Sequence, residues 1–281
     1  MLLIADSGST KTEWMLIDKG QLLKTIYTEG FNPYYYGVND IVKILNSELI
    51  PQLDSLMPKQ IFYYGSGCST EQNCNIVFNA LASSIGAEKV VVMHDLLAAA
   101  HALLGDSEGI ACILGTGSNS CYFDGNEITM NVPSLGYLLA DEGSGVYIGK
   151  SFITAYLYGE VPDSIAKDFK LHFQSEQHEI LDALYRREKP GKYLSDFTRF
   201  VGKHISHPFC RQMVGEAFDD FISVQLSKYP NYNSIAVAFT GSVAFHFREI
   251  LKERLKKADI KVGIISASPG DGLLKYYLNK A

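Results

Sequence analysis

Short bursts of apolar residues, each cut off by a small-residue turn, set the pattern from the first positions of the chain. Residues 2–5 are apolar and stop at Asp6-Ser7-Gly8-Ser9-Thr10. Residues 14–18 and 22–27 then read as strands split by Lys19-Gly20, a hairpin signal. Helical spacing over 40–49 (Ile41, Ile44, Leu45) ends before Pro51. Residues 60–64 are strand-like and lead into Gly65-Ser66-Gly67, 71–85 predict a helix closed by Gly86, and 89–93 a buried strand. Asp95 is expected to cap the Ala/Leu-rich helix that follows, to about Leu104.

At Gly109 the pattern restarts. Residues 110–114 form an apolar strand that ends in Gly115-Thr116-Gly117-Ser118-Asn119, and strands over 121–123 and 127–130 flank Asp124-Gly125-Asn126. Strand, Gly-rich turn and hairpin thus occur twice, roughly 110 residues apart, as in a structural duplication. From 143 to about 229 helical spacing dominates. A strand over 234–239 then meets Thr240-Gly241-Ser242-Val243, followed by an amphipathic helix over 245–257, a last strand over 261–265 and a closing segment over 272–278. Strands and helices alternating in two copies predict an α/β protein with two sheets and a cleft between them.

Composition narrows the function classes. The 281 residues are 47% hydrophobic and 20% charged, enough for one large or two moderate domains. A net charge of −6 without a long basic run speaks against nucleic acid as a partner. The longest apolar stretch, 96–104, contains His101 and is too short to span a bilayer, and no signal-peptide pattern opens the chain. Five cysteines (Cys68, Cys74, Cys112, Cys121 and Cys210) without a C-x-x-C pair suit a reduced, cytoplasmic setting with no membrane partner.

The Gly-rich turns carry the chemistry. Phosphate is held by converging backbone N–H groups with no side chains in the way, which favours small residues. A P-loop or a dinucleotide-binding unit would place such a loop at the start of a helix. Here each turn opens a hairpin instead, neither fits G-x-x-x-x-G-K-[ST], and Gly115-x-Gly117 lacks a third glycine. Two such turns can clamp a polyphosphate from opposite sides.

Four segments, Asp6-Ser7-Gly8-Ser9-Thr10-Lys11-Thr12, His94-Asp95, Gly115-Thr116-Gly117-Ser118-Asn119 and Asp141-Glu142-Gly143-Ser144, together resemble the N-acetylglucosamine kinase family. That family is related to the benzoyl-CoA reductase activator ATPases within the sugar kinase, heat-shock chaperone and actin superfamily. Phe239-Thr240-Gly241-Ser242-Val243 resembles its adenosine segment, so the likeness covers nearly the whole chain. It implies duplicated ribonuclease-H-like domains (the actin-like ATPase fold) with ATP and sugar in an interdomain cleft. Residues 1–107 with 270–281 would form the N-terminal domain, and 108–269 the C-terminal domain with a helical insertion.

The resemblance implies roles residue by residue. Asp95 matches the general base, and Asp6 the carboxylate that holds Mg²⁺, commonly through water. Gly8, Ser9, Thr10, Lys11, Gly115, Thr116, Gly117, Gly241 and Ser242 match the ATP side. Asn32, Ser66, Asn119, Asp141 and the segment Ser134-Leu135-Gly136 match the sugar side, together with Asp95. Relatives commonly carry Gly-Trp-Gly where this chain has Ser134-Leu135-Gly136, beside the acetamido group. N-acetylglucosamine phosphorylated at the 6-hydroxyl is the expected substrate, with glucosamine and N-acetylmuramate-type sugars as alternatives.

Other readings stay beside this one. A reductase-activating ATPase needs close thiolates for a bridging iron–sulfur cluster, and only Cys68 and Cys74 are near in sequence. A non-catalytic sugar sensor would share the fold. His204-x-x-His207-x-x-Cys210 has metal-ligand types, but Pro208 interrupts the helix that would align them. Tyr34-Tyr35-Tyr36 and Tyr276-Tyr277 are expected to pack. The expected partner is a small-molecule sugar, self-association as a homodimer stays open, and a hinge is expected near 106–109, between the repeats.

Overall fold

Strand β1 (Leu2–Ser7) buries four of its six residues on both faces, so it must lie inside a sheet covered on both sides. In the computed structural model, which describes residues 1–8, 11–173, 176–187 and 189–280, β1 is the centre of five strands. It pairs antiparallel with β2 (Lys11–Asp18), from Leu2↔Ile17 to Ser7↔Thr12, and β2 pairs with β3 (Gln21–Glu29). On its other side it pairs parallel with β4 (Gln60–Gly65), which pairs parallel with β5 (Lys89–His94). The sheet order is β3-β2-β1-β4-β5.

Alternation along these strands feeds two cores. Leu3, Ala5, Trp14, Leu16, Ile61 and Tyr63 face one way, toward α1 (Val38–Ile44) and α3 (Glu71–Ile85). Ile4, Met15, Ile17 and Tyr64 face the other, toward α4 (Asp95–Leu104) and α12 (Gly270–Leu278), which contribute Ala98 and Leu273. A polar clasp holds α12 there. The Tyr64 hydroxyl lies 2.9 Å from His101 Nδ1 and 2.8 Å from the Tyr277 hydroxyl, and the His101 and Tyr276 rings stack at 4.2 Å.

The second sheet repeats the first. β6 (Gly109–Leu114), β7 (Ser118–Phe123) and β8 (Ile128–Asn131) form an antiparallel meander, while β9 (Val237–Thr240) and β10 (Val262–Ser266) add in parallel on the far side of β6. The order β10-β9-β6-β7-β8 matches the first sheet strand for strand. The duplication expected from the sequence is thus a duplication of topology, with barely any residue identity behind it.

Between β8 and β9 run α5 (Gly145–Leu157), α6 (Asp163–Phe173), α7 (Gln177–Tyr185), α8 (Pro190–Lys203) and α9 (Pro208–Val224). Their shared core is aromatic: Phe169 lies 5.2 Å from both Phe152 and Phe200. After β9 come α10 (Ser242–His246) and α11 (Arg248–Lys257). By internal contacts the chain divides into unit 1, Met1–Asp106 with Pro269–Ala281, and unit 2, Ser107–Ser268.

Three expectations change. The helix expected over 40–49 starts at Val38 and continues through a π-helical turn (Leu45–Leu49) into α2 (Ile50–Leu53). Pro51 stands at the start of α2, directly after the π-helical turn. The helix expected over 245–257 is two helices, broken at Phe247. Asp95 is the first residue of α4 and not its cap: His94 takes that place, its Nδ1 3.0 Å from the Leu96 N–H. All five cysteines are free. No helix among the described residues is long and apolar enough to cross a membrane.

Candidate functional site

In unit 1 the candidate chemistry gathers where β1 and β5 end. Asp6 lies one residue before the end of β1, and antiparallel pairing sets Glu13 directly across from it on the same face. Two carboxylates in that relation repel. Burial, then Asp95, then Glu13 push the Asp6 carboxyl up to about 7, and Lys11 only partly offsets them. A cation beside Asp6 would relieve this repulsion, so the carboxylates suit Mg²⁺. Among the described residues no three His, Cys, Asp or Glu side chains could ligate a metal together. Mg²⁺ is usually held by one or two carboxylates with water and substrate phosphates.

The first turn is tight. Ser7 Oγ and Thr12 Oγ1, 2.7 Å apart, pin its base, and the Gly8 N–H donates to the Lys11 carbonyl at 3.0 Å. Ser9 and Thr10, expected on the ATP side, lie outside the described residues. Lys11 Nζ rests 4.6 Å above the Tyr27 ring, and the Tyr27 hydroxyl donates to Glu13 at 2.7 Å.

Asp95 follows β5, partly buried, with its Oδ1 2.8 Å from His94 Nδ1. Ser66 follows β4, its N–H donating to the Ser7 carbonyl at 2.9 Å. Asn32 shapes its own turn: Oδ1 accepts from the Tyr34 N–H at 3.0 Å and the backbone carbonyl accepts from Tyr35 and Tyr36. Its amide fills the space a side chain would need at Gly67, whose φ of +82° also favours glycine. Tyr34 and Tyr35 are exposed, against the expectation of packing, because this turn aims them outward. Tyr36, Tyr276 and Tyr277 do pack.

In unit 2 the matched residues converge more closely. Carbonyls of the second turn cap α5: Gly115 accepts from the Gly145 N–H at 2.8 Å and Thr116 from the Val146 N–H at 3.0 Å. Ser144 completes the cap, accepting from the Tyr147 N–H at 3.1 Å. Asp141 is 8% exposed, has a φ of +66°, and turns its carboxylate against Gly117 and the Ser118 N–H. A buried, left-handed aspartate is costly and needs the surrounding structure to hold it. Burial raises its pKa, the Ser118 N–H lowers it, Glu142 raises it and Lys150 lowers it.

Asn119 Oδ1 accepts from the Ser120 N–H and from Asn131 Nδ2. The exposed Ser134 donates to the Ser118 carbonyl at 3.3 Å. Gly136 accepts from the Leu139 and Ala140 N–H groups, which folds the loop so that Leu135, Leu138 and Leu139 are 58%, 76% and 77% exposed. Ser118 Oγ and Glu142 Oε2 are buried with no hydrogen-bond partner among the described residues. Such atoms are uncommon and call for a ligand or water.

Gly241 follows β9 with φ +116°, and a Cβ there would land on the Leu114 carbonyl, while Ser242 beside it is exposed. Gly241→Ala is therefore expected to cost several kcal/mol through backbone displacement in both strands. Thermal melting checks this, and a melting temperature at the wild-type value would show that the β6–β9 contact yields.

Sequence reading passed over Glu13 and Lys150 as site residues, and took His94 and Glu142 only as parts of motifs. A signal for Glu13 existed, since a hairpin closing around Ser7-Thr12 must pair Asp6 with Glu13. His204, His207 and Cys210 do not converge. His204 pairs with Asp168 at 2.8 Å, His207 caps α9, and burial pushes the Cys210 thiol up to about 11.

A central strand flanked by an antiparallel meander and two parallel strands, occurring twice, is the actin-like ATPase fold built from duplicated ribonuclease-H-like domains. Solved structures agree. A candidate N-acetylglucosamine kinase from Chromobacterium violaceum is 15% identical, with 98% of each chain covered and a TM-score of 0.76. MreB5 of Spiroplasma citri, bound to ADP, is 11% identical, with 99% of this chain and 95% of that chain covered and a TM-score of 0.58. These two are alike in fold. A candidate N-acetylglucosamine kinase from Porphyromonas gingivalis is 40% identical over 99% of both chains, with a TM-score of 0.95. The chain belongs to the N-acetylglucosamine kinase family. No protein-family model and no curated protein matches it.

Proposed function

We propose that the protein is a sugar kinase that transfers the γ-phosphoryl group of ATP to the 6-hydroxyl of N-acetylglucosamine. The observation that carries this reading is Asp95, a partly buried carboxylate at the β5–α4 junction whose field reaches Asp6 at the end of β1. One carboxylate able to take a proton and one suited to a cation are what phosphoryl transfer asks of a protein. The kinase assignments of the Porphyromonas gingivalis and Chromobacterium violaceum proteins, and the ADP in MreB5, support it.

In this mechanism the sugar hydroxyl oxygen attacks the γ-phosphorus while its proton passes to Asp95, and the bond to the bridging oxygen of ADP breaks. Mg²⁺ at Asp6, when bound, neutralises charge on the phosphates. Gly8 and Lys11 are the ATP-side residues of unit 1, and Gly115, Thr116 and Gly117 with Gly241 and Ser242 those of unit 2. Asp141 accepts hydrogen bonds from sugar hydroxyls, and the unpartnered Ser118 and Glu142 oxygens suit a polyhydroxy ligand. The test is ADP release with N-acetylglucosamine, glucosamine and N-acetylmuramate. Turnover that no sugar raises above the sugar-free rate ends the kinase reading.

Leu135 favours keeping the free amino sugar as a second substrate, since an exposed leucine offers the acetyl methyl less wall than an indole. Leu135→Trp is expected to raise preference for the N-acetylated sugar several-fold, because burying one methyl is worth about 1 kcal/mol. The ratio of kcat/KM for the two sugars reads this. An unchanged ratio would remove Leu135 from the acetamido side. The reductase-activator alternative is weaker, since a bridging cluster needs close thiolates and only Cys68 and Cys74 are near in sequence.

A further inference from the structure

We propose that His94 is a positioning residue for Asp95, donating Nδ1–H to Oδ1 of the carboxylate so that its other oxygen is left to receive the substrate proton. This rests on the kinase reading above for its meaning in turnover, and on geometry alone for the pairing.

His94 Nδ1 stands between two partners of opposite demand. Asp95 Oδ1 lies 2.8 Å away and the Leu96 N–H donates from 3.0 Å. An imidazole nitrogen carries either a proton or a lone pair, so it can serve only one of them at a time. With the proton on Nε2, the Nδ1 lone pair caps α4 but faces an ionised carboxylate at hydrogen-bond distance, which is repulsive. With the proton on Nδ1, the ring donates to the carboxylate in a charge-assisted bond. An ionised Asp95 therefore draws the proton to Nδ1, whereas a neutral side chain at 95 would leave His94 as an ordinary helix cap.

The charged neighbours agree. Burial lowers the His94 pKa, but the hydrogen bond and charge of Asp95 outweigh it and the net shift is upward. Around Asp95, Asp6 from β1 and, from β4 and the turn after it, Tyr63 and Cys68 are the titratable groups within reach of its field. None of these three is a cation, whereas the imidazole Nδ1 stands 2.8 Å from the carboxylate. Its side chain is 29% exposed, enough to exchange protons with water.

Two measurements on the full chain test this. Asparagine is a preferred helix cap but has no imidazole, so His94→Asn separates capping from positioning. The expected result is a near-wild-type melting temperature and KM for MgATP, with kcat/KM for the sugar down about 10-fold and the acidic limb of its pH profile moved up by about one unit. A wild-type rate and pH profile would reduce His94 to a cap and overturn the proposal. The second measurement needs no turnover: the His94 imidazole, followed by NMR, should titrate at lower pH in Asp95→Asn than in wild type. An unchanged midpoint overturns the pairing. If wild type shows no sugar-dependent ADP release, the kinase reading falls while the imidazole titration still decides whether the pair exists.

Discussion

Replacing Asp95 by asparagine is expected to lower kcat by about 10²–10⁴-fold, the usual cost of removing a general base. The substitution keeps size and most hydrogen bonding but leaves nothing to accept the hydroxyl proton. Its effect on folding should be small because His94, beside a neutral side chain at 95, caps α4 through Nδ1. Removing one negative charge also relieves Asp6, which Asp95 pushes toward the protonated form. Melting temperature and affinity for an ATP analogue should hold, and sugar affinity should fall modestly with the weaker acceptor. Turnover within a few-fold of wild type would refute the role of Asp95 and move attention to Asp141.

Asp6→Asn is expected to act in opposite directions on stability and activity. The Asp6 carboxyl rises from its ordinary value of 3.8 to about 7 in the folded chain, through burial first and the carboxylates of Asp95 and Glu13 next. A folded pKa above the unfolded one means the native state binds the proton more tightly. Metal-free protein is therefore most stable below about pH 4, loses stability as pH rises from about 4 to about 7, and is level in this contribution above that. The full difference is at most about 4 kcal/mol, and less because the carboxylate keeps some contact with water. Asparagine removes the contribution, so metal-free Asp6→Asn at pH 8 should melt several degrees above wild type. Its MgATP-dependent turnover should fall by about two orders of magnitude or more, with loss of electrostatic positioning of the phosphates. A metal-free variant that melts below wild type at pH 8 would show that the carboxylate is not under the repulsion described.

Most strands, and the helices with strong end signals such as α3, were legible because local chemistry decides them. The limits of α3 follow from Thr70, whose side chain accepts from the Asn73 N–H, and from Gly86, left-handed at φ +70°. Where tertiary packing decides, the sequence misleads. The π-helical turn at 45–49 and the break at Phe247 bury Leu45, Leu49 and Phe247, and nothing in the spacing marks either. For the candidate site, the turns could be read from small residues, but how side chains are used within them could not. Asn32 is taken up by its own turn, Asp141 adopts a left-handed backbone, and histidine is an unusual cap, so His94 drew attention only as a neighbour of Asp95. Glu13 needed the hairpin register, which no single residue announces.

Helix α12 has a consequence for how the chain is made. It belongs to unit 1, where the Tyr64 and Tyr277 hydroxyls meet across 213 positions of sequence, yet it leaves the ribosome after the whole of unit 2. The apolar face with Ile4, Met15, Ile17 and Tyr64, which Leu273 covers in the native fold, is made first and covered last. During vectorial synthesis unit 2 can finish its core while unit 1 still shows that face, the situation in which a nascent chain most needs a chaperone.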